Sequence, residues 1–337
     1  MSMARYLAGR LVHVALMLLG LVVITFVIAN VTPADPAALA AGPDATPDMV
    51  ATIRAEYGLD RPLPEQFWRY VTDLAQGQFG RSLTSGNTVG EDLLRYVPAT
   101  FQLVILAMAF ACAVGIPLGI LAAVWRGSWL DHGIRVLAVS GIALPAFWIA
   151  LLLQMVVGVW WGWLPTGGLM SIAADPPPVL TGMVLFDSLL AGQWDSLRDA
   201  AAHAVLPAFV LSLPCLASVL RVNRAEMIEV LGSDHVTAAR AHGVMPSRVI
   251  GLLALKNAML PTLAMIGLRF GWMLGGTVLV ETVFDWPGIG LYAVNSAIAA
   301  DFKPVMGVTL VIGLMFMLAN LLVDLAYGWL DPRTRGA

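Results

Sequence analysis

Six stretches of this sequence, approximately residues 11–31, 100–125, 134–163, 204–220, 260–284 and 305–330, run almost without charge. An apolar segment of about 20 residues crosses the hydrocarbon core of a bilayer as a helix. Backbone N–H and C=O groups there find partners only within a helix or a closed barrel. The composition agrees with this. Of 337 residues, 59% are hydrophobic and 12% charged, and the mean hydropathy is +0.80, whereas a soluble domain carries roughly 25% charged residues. A single soluble globule is excluded. The expected fold is all-α: a polytopic membrane protein with six transmembrane helices embedded in the lipid bilayer. The formal charge of −3 is too small, and of the wrong sign, for nucleic acid to be a partner. Cys112 and Cys215 lie inside apolar runs, so no disulfide framework is indicated.

The first stretch follows Arg5 and Arg10 and resembles a signal peptide in that respect. Its apolar run exceeds the roughly 7–15 residues of a signal core, which favours an uncleaved anchor. Orientation follows from arginine and lysine. With both termini in the cytoplasm, the inner segments hold 11 basic and five acidic residues and the outer segments seven basic and 16 acidic. The inner face is then +6 and the outer face −9, the arrangement the positive-inside bias favours.

Three regions follow: residues 1–31, the N-terminus and first span; residues 32–98, an outer helical insertion; and residues 99–337, a five-helix core. In the insertion, Thr46 reads as an N-cap, Pro47 as a first helical residue and Gly58 as the residue after the helix end. A second helix starts near Pro64, carries Phe67, Tyr70, Val71 and Leu74 on one face, and ends at Gly77. The cytoplasmic loop 221–257 holds a break at Gly232 and Ser233, then a helix of about two turns from Asp234. Gly243 then supplies a left-handed turn at no steric cost. Ala238 and Ala239 are small enough for another surface to approach the backbone. A helix this short is marginal alone, so it either docks on another protein or lies on the bilayer.

Neither lysine, Lys256 nor Lys303, stands in a P-loop, and zinc-protease, nucleophile-elbow and CxxC motifs do not occur. The chain is therefore expected not to be an enzyme and to hold no cofactor. His235 and His242 read as solvated loop residues rather than metal ligands.

Arg269 falls nine residues into the fifth stretch, roughly 13 Å deep, and Asp324 enters the sixth from the opposite end to about 9 Å. A charge near mid-bilayer costs about 2.5–3.5 kcal/mol on insertion scales, so both should face protein or water. They either pair and line the pathway or are satisfied separately. Glu281 and Asp285, before the Pro287–Gly288 turn, are candidates for an outer gate; the alternative is two solvated loop carboxylates. Pro117, Pro145, Pro207, Pro214 and Pro261 favour kinks. Gly271, Gly275 and Gly276 permit close helix packing.

The stretch TAARAHG (237–243), followed by KNAMLP (256–261), resembles the cytoplasmic signature of ABC importer permeases. That signature has Glu-Ala-Ala, three residues, then Gly, with a later Leu-Pro. Thr237 stands here in place of the glutamate, and Leu260 and Pro261 lie farther on. Both departures are similar to those of the dipeptide/oligopeptide/nickel-type subfamily. GLDRPLPEQFWRY (58–70) with FGRS (79–82) resembles the outer insertion of that subfamily's first permease subunit. GIPLGILAAVWRGSWLDH (115–132), ETVFDWPGIG (281–290) with DFKPVMG (301–307), and NLLVDLAYGWLDPR (320–333) look like its later segments, in the right order.

The resemblance implies a permease of the bacterial cytoplasmic (inner) membrane working by alternating access. Its partners would be a second homologous permease subunit, two cytoplasmic ATPase subunits carrying ATP and Mg, and an extracytoplasmic binding protein that delivers di- or oligopeptides. Nickel complexes, glutathione and short glycans are the alternative cargoes. Asp234, Ala238, Ala239, Arg240 and Gly243 would form the helix that couples to the ATPase. Rival readings are an ATP-independent secondary transporter or channel, and an intramembrane enzyme.

Overall fold

The computed structural model describes residues 3–31, 37–38, 45–56 and 60–330, with the side chains of some helix-end residues, 324–330 among them, excepted. Among the described residues the regular structure is helical, apart from one bridge between Arg81 and Thr88. Among the described residues, four helices are long and apolar enough to cross a membrane: Val89–Val124, Trp194–Leu231, Pro246–Val283 and the stretch Phe302–Val323. The first helix, Met3–Val31, has 29 residues and a described apolar stretch Val12–Ile28.

The stretch 134–163, expected as one span, is instead a pair of helices, Trp129–Ala143 and Ala146–Trp160, bent by 101°. Pro145 accounts for the break. Its ring disfavours the helical conformation at Leu144, which sits at φ −89°, ψ 135°, and it has no N–H to donate. Pro207, Pro214 and Pro261 lie inside helices that continue through them. In a bilayer the alternative to a helix is unsatisfied backbone, so neighbouring groups adapt. Ser212 and Ser218 donate their hydroxyls to the carbonyls of Phe209 and Pro214, at 2.6 and 2.9 Å.

The chain divides into two compact units, Phe101–Trp286 with Phe316–Ala337, and Ser2–Thr100 with Pro287–Met315. In the first, Trp194–Leu231 packs along Leu255–Val283 and Trp129–Ala143. Two apolar clusters hold this unit, one of Ala122, Ile134, Ala138, Ala217 and Leu220, the other of Ala123, Met227, Ala254 and Ala258. Alanine dominates both, so the helices approach closely. Gly119 takes this further: a Cβ there would lie 2.8 Å from the Asn223 side chain. The three glycines expected to give close packing do not share that role. A Cβ on Gly271 would meet the Phe316 ring at 2.8 Å, one on Gly275 meets nothing within 4 Å, and one on Gly276 only reaches Leu211 at 4.0 Å. The tightest contact of this helix is at Gly267, 2.1 Å from Val323 by the same construction.

In the second unit, helix Pro47–Glu56 begins with the Met49 amide donating to Thr46 Oγ1 at 3.4 Å. Tyr57 and Gly58 lie outside the described residues. Helix Leu63–Ala75 ends at Gly77, whose φ of +75° suits only glycine without strain. It packs through Phe67 and Tyr70 onto Phe26 of the first helix, with ring centroids 5.2 and 5.9 Å apart. The turn after it is tied down by two buried aspartates. Asp301 accepts from Ser82 Oγ and the amides of Leu83 and Thr84, at 2.7, 2.6 and 3.1 Å. Asp92 accepts from Ser85, Asn87 and Tyr292. Below them Val89, Leu93, Ile289, Tyr292 and Val308 form the apolar cluster of this unit.

Candidate coupling helix and pathway residues

The short helix of the 221–257 loop runs Asp234–Ala241. Ser233 precedes it at the N-cap position but does not cap it: its hydroxyl turns back to the Val230 carbonyl at 2.5 Å and contacts His235 Nδ1 at 2.9 Å. Asp234, in the first turn, places a negative charge at the positive end of the helix dipole. The C-terminus closes with two bonds, from the Gly243 amide to the Arg240 carbonyl at 3.0 Å and from the Val244 amide to the Ala239 carbonyl at 3.1 Å. With Gly243 at φ +74°, this is a Schellman closure. Met245 and Pro246 then start the next helical segment.

One residue anchors this helix. Val236 is completely buried, as is Val249 at the foot of the returning helix, and the short helix packs on Val249–Ala254 and Trp194–Leu231. Asp234, Ala238, Arg240 and Gly243 are exposed, as are His235 and His242, while Ala239 is half-buried. The backbone can thus be approached freely at Ala238 and less so at Ala239. Val236 was overlooked in sequence because one valine in a polar stretch has no periodicity to mark it.

Ten residues before this helix, Arg224 takes part in an ion pair that charge counting alone does not show. Asp131, 1% exposed, accepts from Arg224 Nε at 2.7 Å and Nη2 at 2.8 Å, and from the Gly127 amide at 3.0 Å. The bidentate geometry ties the start of Trp129–Ala143 to Trp194–Leu231, the helix leading into the coupling loop. One residue before Arg224, the buried Asn223 donates to Thr262 Oγ1 at 3.3 Å, linking that helix to Leu255–Val283.

Three of the four pathway candidates, Arg269, Glu281 and Asp285, are spread along one helix and the turn after it. Arg269 is half-buried in mid-helix, with its Nε buried and without a hydrogen-bond partner among the described residues. Asp324 is on helix Phe302–Leu330, but its side chain lies outside the described residues, so the expected pairing with Arg269 does too. Glu281, twelve residues from Arg269, is about 18 Å away along the axis. It is completely buried, which removes it from the class of solvated loop carboxylates. Asp285 is exposed and left-handed at φ +47°, the one step in the turn between the buried Phe284 and Trp286.

The segment 164–203, of which the sequence establishes only the length, is fastened to the ends of the neighbouring long helices. Gln154 Nε2 donates to the carbonyls of Thr166 and Val283 at 2.7 and 3.1 Å. The Gly168 amide donates to Phe284 O at 2.8 Å. Gln102, 1% exposed, accepts from the Leu185 amide at 3.0 Å. A lone glutamine in an apolar run is the signal that marks both anchors, since its amide must find partners there.

Several long apolar helices, joined by a short helical loop and a fastened 164–203 segment, define a polytopic membrane protein. Residues 115–336 match the binding-protein-dependent transport system inner membrane component family, and residues 3–104 match the N-terminal region of such membrane components. The chain belongs to this family. It is 44% identical over 321 residues, 94% of each chain, to the probable D,D-dipeptide transport system permease protein of Escherichia coli K12. It is 40% identical over 336 residues, 99% of each chain, to the dipeptide transport system permease protein of the same strain. The glutathione transport system permease protein of Pectobacterium atrosepticum is 37% identical over 334 residues, again 99% of each chain.

Proposed function

We propose that this chain is one of two dissimilar permease subunits of an ATP-driven importer for di- and oligopeptides in the bacterial inner membrane. The observation that carries the reading is likeness over nearly the whole length to dipeptide permeases, at 40–44% identity. An extracytoplasmic binding protein delivers the peptide, and two cytoplasmic ATPases drive the cycle. Six spans with both termini in the cytoplasm complete the arrangement, Met3–Val31 being the first and the bent pair the third.

The ATPase seats on the exposed face of Asp234–Ala241, at Asp234, Ala238 and Arg240. Closure of the ATPases displaces this helix as a unit, because the turn at Gly243 is hydrogen-bonded and Val236 keys it to the membrane helices. The movement then passes into Trp194–Leu231 and Leu255–Val283. Glu281 and Asp285, at the far end of the second of these, are placed to respond at the outer face. Arg269 and Asp324 lie between the two ends.

The test is uptake. Cells lacking the chain's own operon, supplied with the full set of subunits, should accumulate a labelled dipeptide, and should fail when this chain alone is omitted. Offering a D,D-dipeptide and glutathione in the same assay separates the cargo classes of the relatives. Equal uptake with and without this chain would refute the reading.

A further inference from the structure

The face where Trp129–Ala143 meets Trp194–Leu231 carries a pocket of about 140 Å³ with arginines at its rim: Arg135, Arg221 and Arg224. Its wall is apolar, with Val139, Ile142 and Leu220 among the lining residues. One carboxylate serves two of these three cations. Asp131 is taken by Arg224 in bidentate fashion, and Arg135 reaches the same Oδ1 only at 3.5 Å. Arg221 is exposed and makes no ion pair among the described residues. The pocket thus holds two positive charges beyond its one negative one.

The surroundings decide what would neutralise them. Val136, Leu137 and Val139 on the same helix are 65, 70 and 64% exposed, and Trp129 at its start is 85% exposed. An exposed apolar stripe headed by tryptophan is what a helix presents to acyl chains and the headgroup level. Arginines at that level, above an apolar groove, match a phosphodiester with its hydrocarbon tails below.

We infer that this pocket binds the headgroup of one anionic phospholipid, with Arg221 and Arg135 on the phosphate and an acyl chain along Val139 and Ile142. The site rests on the chain's being a membrane protein and on neither its cargo nor its ATPase. Through Arg224 and Asp131 the bound lipid would brace the helix that leads into the coupling loop.

Native mass spectrometry of the detergent-purified protein tests this, read on this chain's own mass whether or not other subunits accompany it. After delipidation, dioleoylphosphatidylglycerol should be retained at one molecule per chain, and dioleoylphosphatidylcholine about tenfold less. Arg135→Gln with Arg221→Gln should lower retention about tenfold. Val139→Trp, which fills the groove without altering charge, should lower it as well, whereas Arg248→Gln should not. Equal retention of the two lipids, or unchanged retention in the double variant, would overturn the assignment. Displacement by equimolar inorganic phosphate would make this a free-anion site instead. Crosslinking of Val139→Cys to another polypeptide in native membranes would make the face a protein interface.

Discussion

Val236 and Ala238 stand two residues apart on one short helix, yet one is completely buried and the other exposed. Substitutions there should separate stability from docking. Val236→Ala should cost about 2 kcal/mol by opening a cavity under the helix, measured as a lowered melting temperature with transport falling in parallel. Ala238→Glu should leave melting unchanged and abolish recovery of the ATPase. Ala239 is a poorer probe because its half-buried side chain mixes the two effects. Asp131 offers a third residue-scale outcome. Asp131→Ala leaves Arg224 without its carboxylate, and removing one partner of a buried pair costs about 3–5 kcal/mol. A melting curve indistinguishable from wild type would contradict the structural role given to that pair.

Helix by helix, what sequence could reveal depended on where partners come from. The long apolar helices and the short loop helix with its glycine turn were legible because length, capping and backbone rules act locally. The 101° bend was legible only as a proline, since Pro207 and Pro214 carry the same local signal and do not interrupt their helix. The difference is tertiary, as is the uneven role of the glycines. Gly267→Ala should cost about 1–3 kcal/mol by overpacking against Val323, while Gly275→Ala, open on all sides, should be neutral. Thermal unfolding of the two variants side by side checks this. In the outer segment, Asp187 is nearly completely buried. Burial pushes its carboxyl up, but donation from Thr181 and Gly182 outweighs this and holds it below the ordinary value of 3.8. Its contribution to stability is therefore full above about pH 4 and lost as pH falls through the lowered value. Hydrogen exchange of the Thr181 and Gly182 amides should accelerate only at that acidic limit, and Asp187→Asn should remove the dependence.

At the scale of the whole molecule, the short helix Asp234–Ala241 and its turn at Gly243 were readable from sequence, because capping and a left-handed glycine act locally. The pathway was not. Arg269, Glu281 and Asp285 are spread along and beyond one helix, so spacing in sequence gives them no common site. This chain is proposed to transport by engaging separate ATPases through Asp234–Ala241. Gentle affinity purification from native membranes, with the co-purifying subunits weighed by mass spectrometry, tests it most directly. The wild-type chain should bring down a second permease and two ATPases, and Ala238→Glu should lose the ATPases while the second permease stays bound. Recovery of this chain alone or as a homodimer, with no ATPase even after crosslinking, would contradict it and favour an ATP-independent transporter.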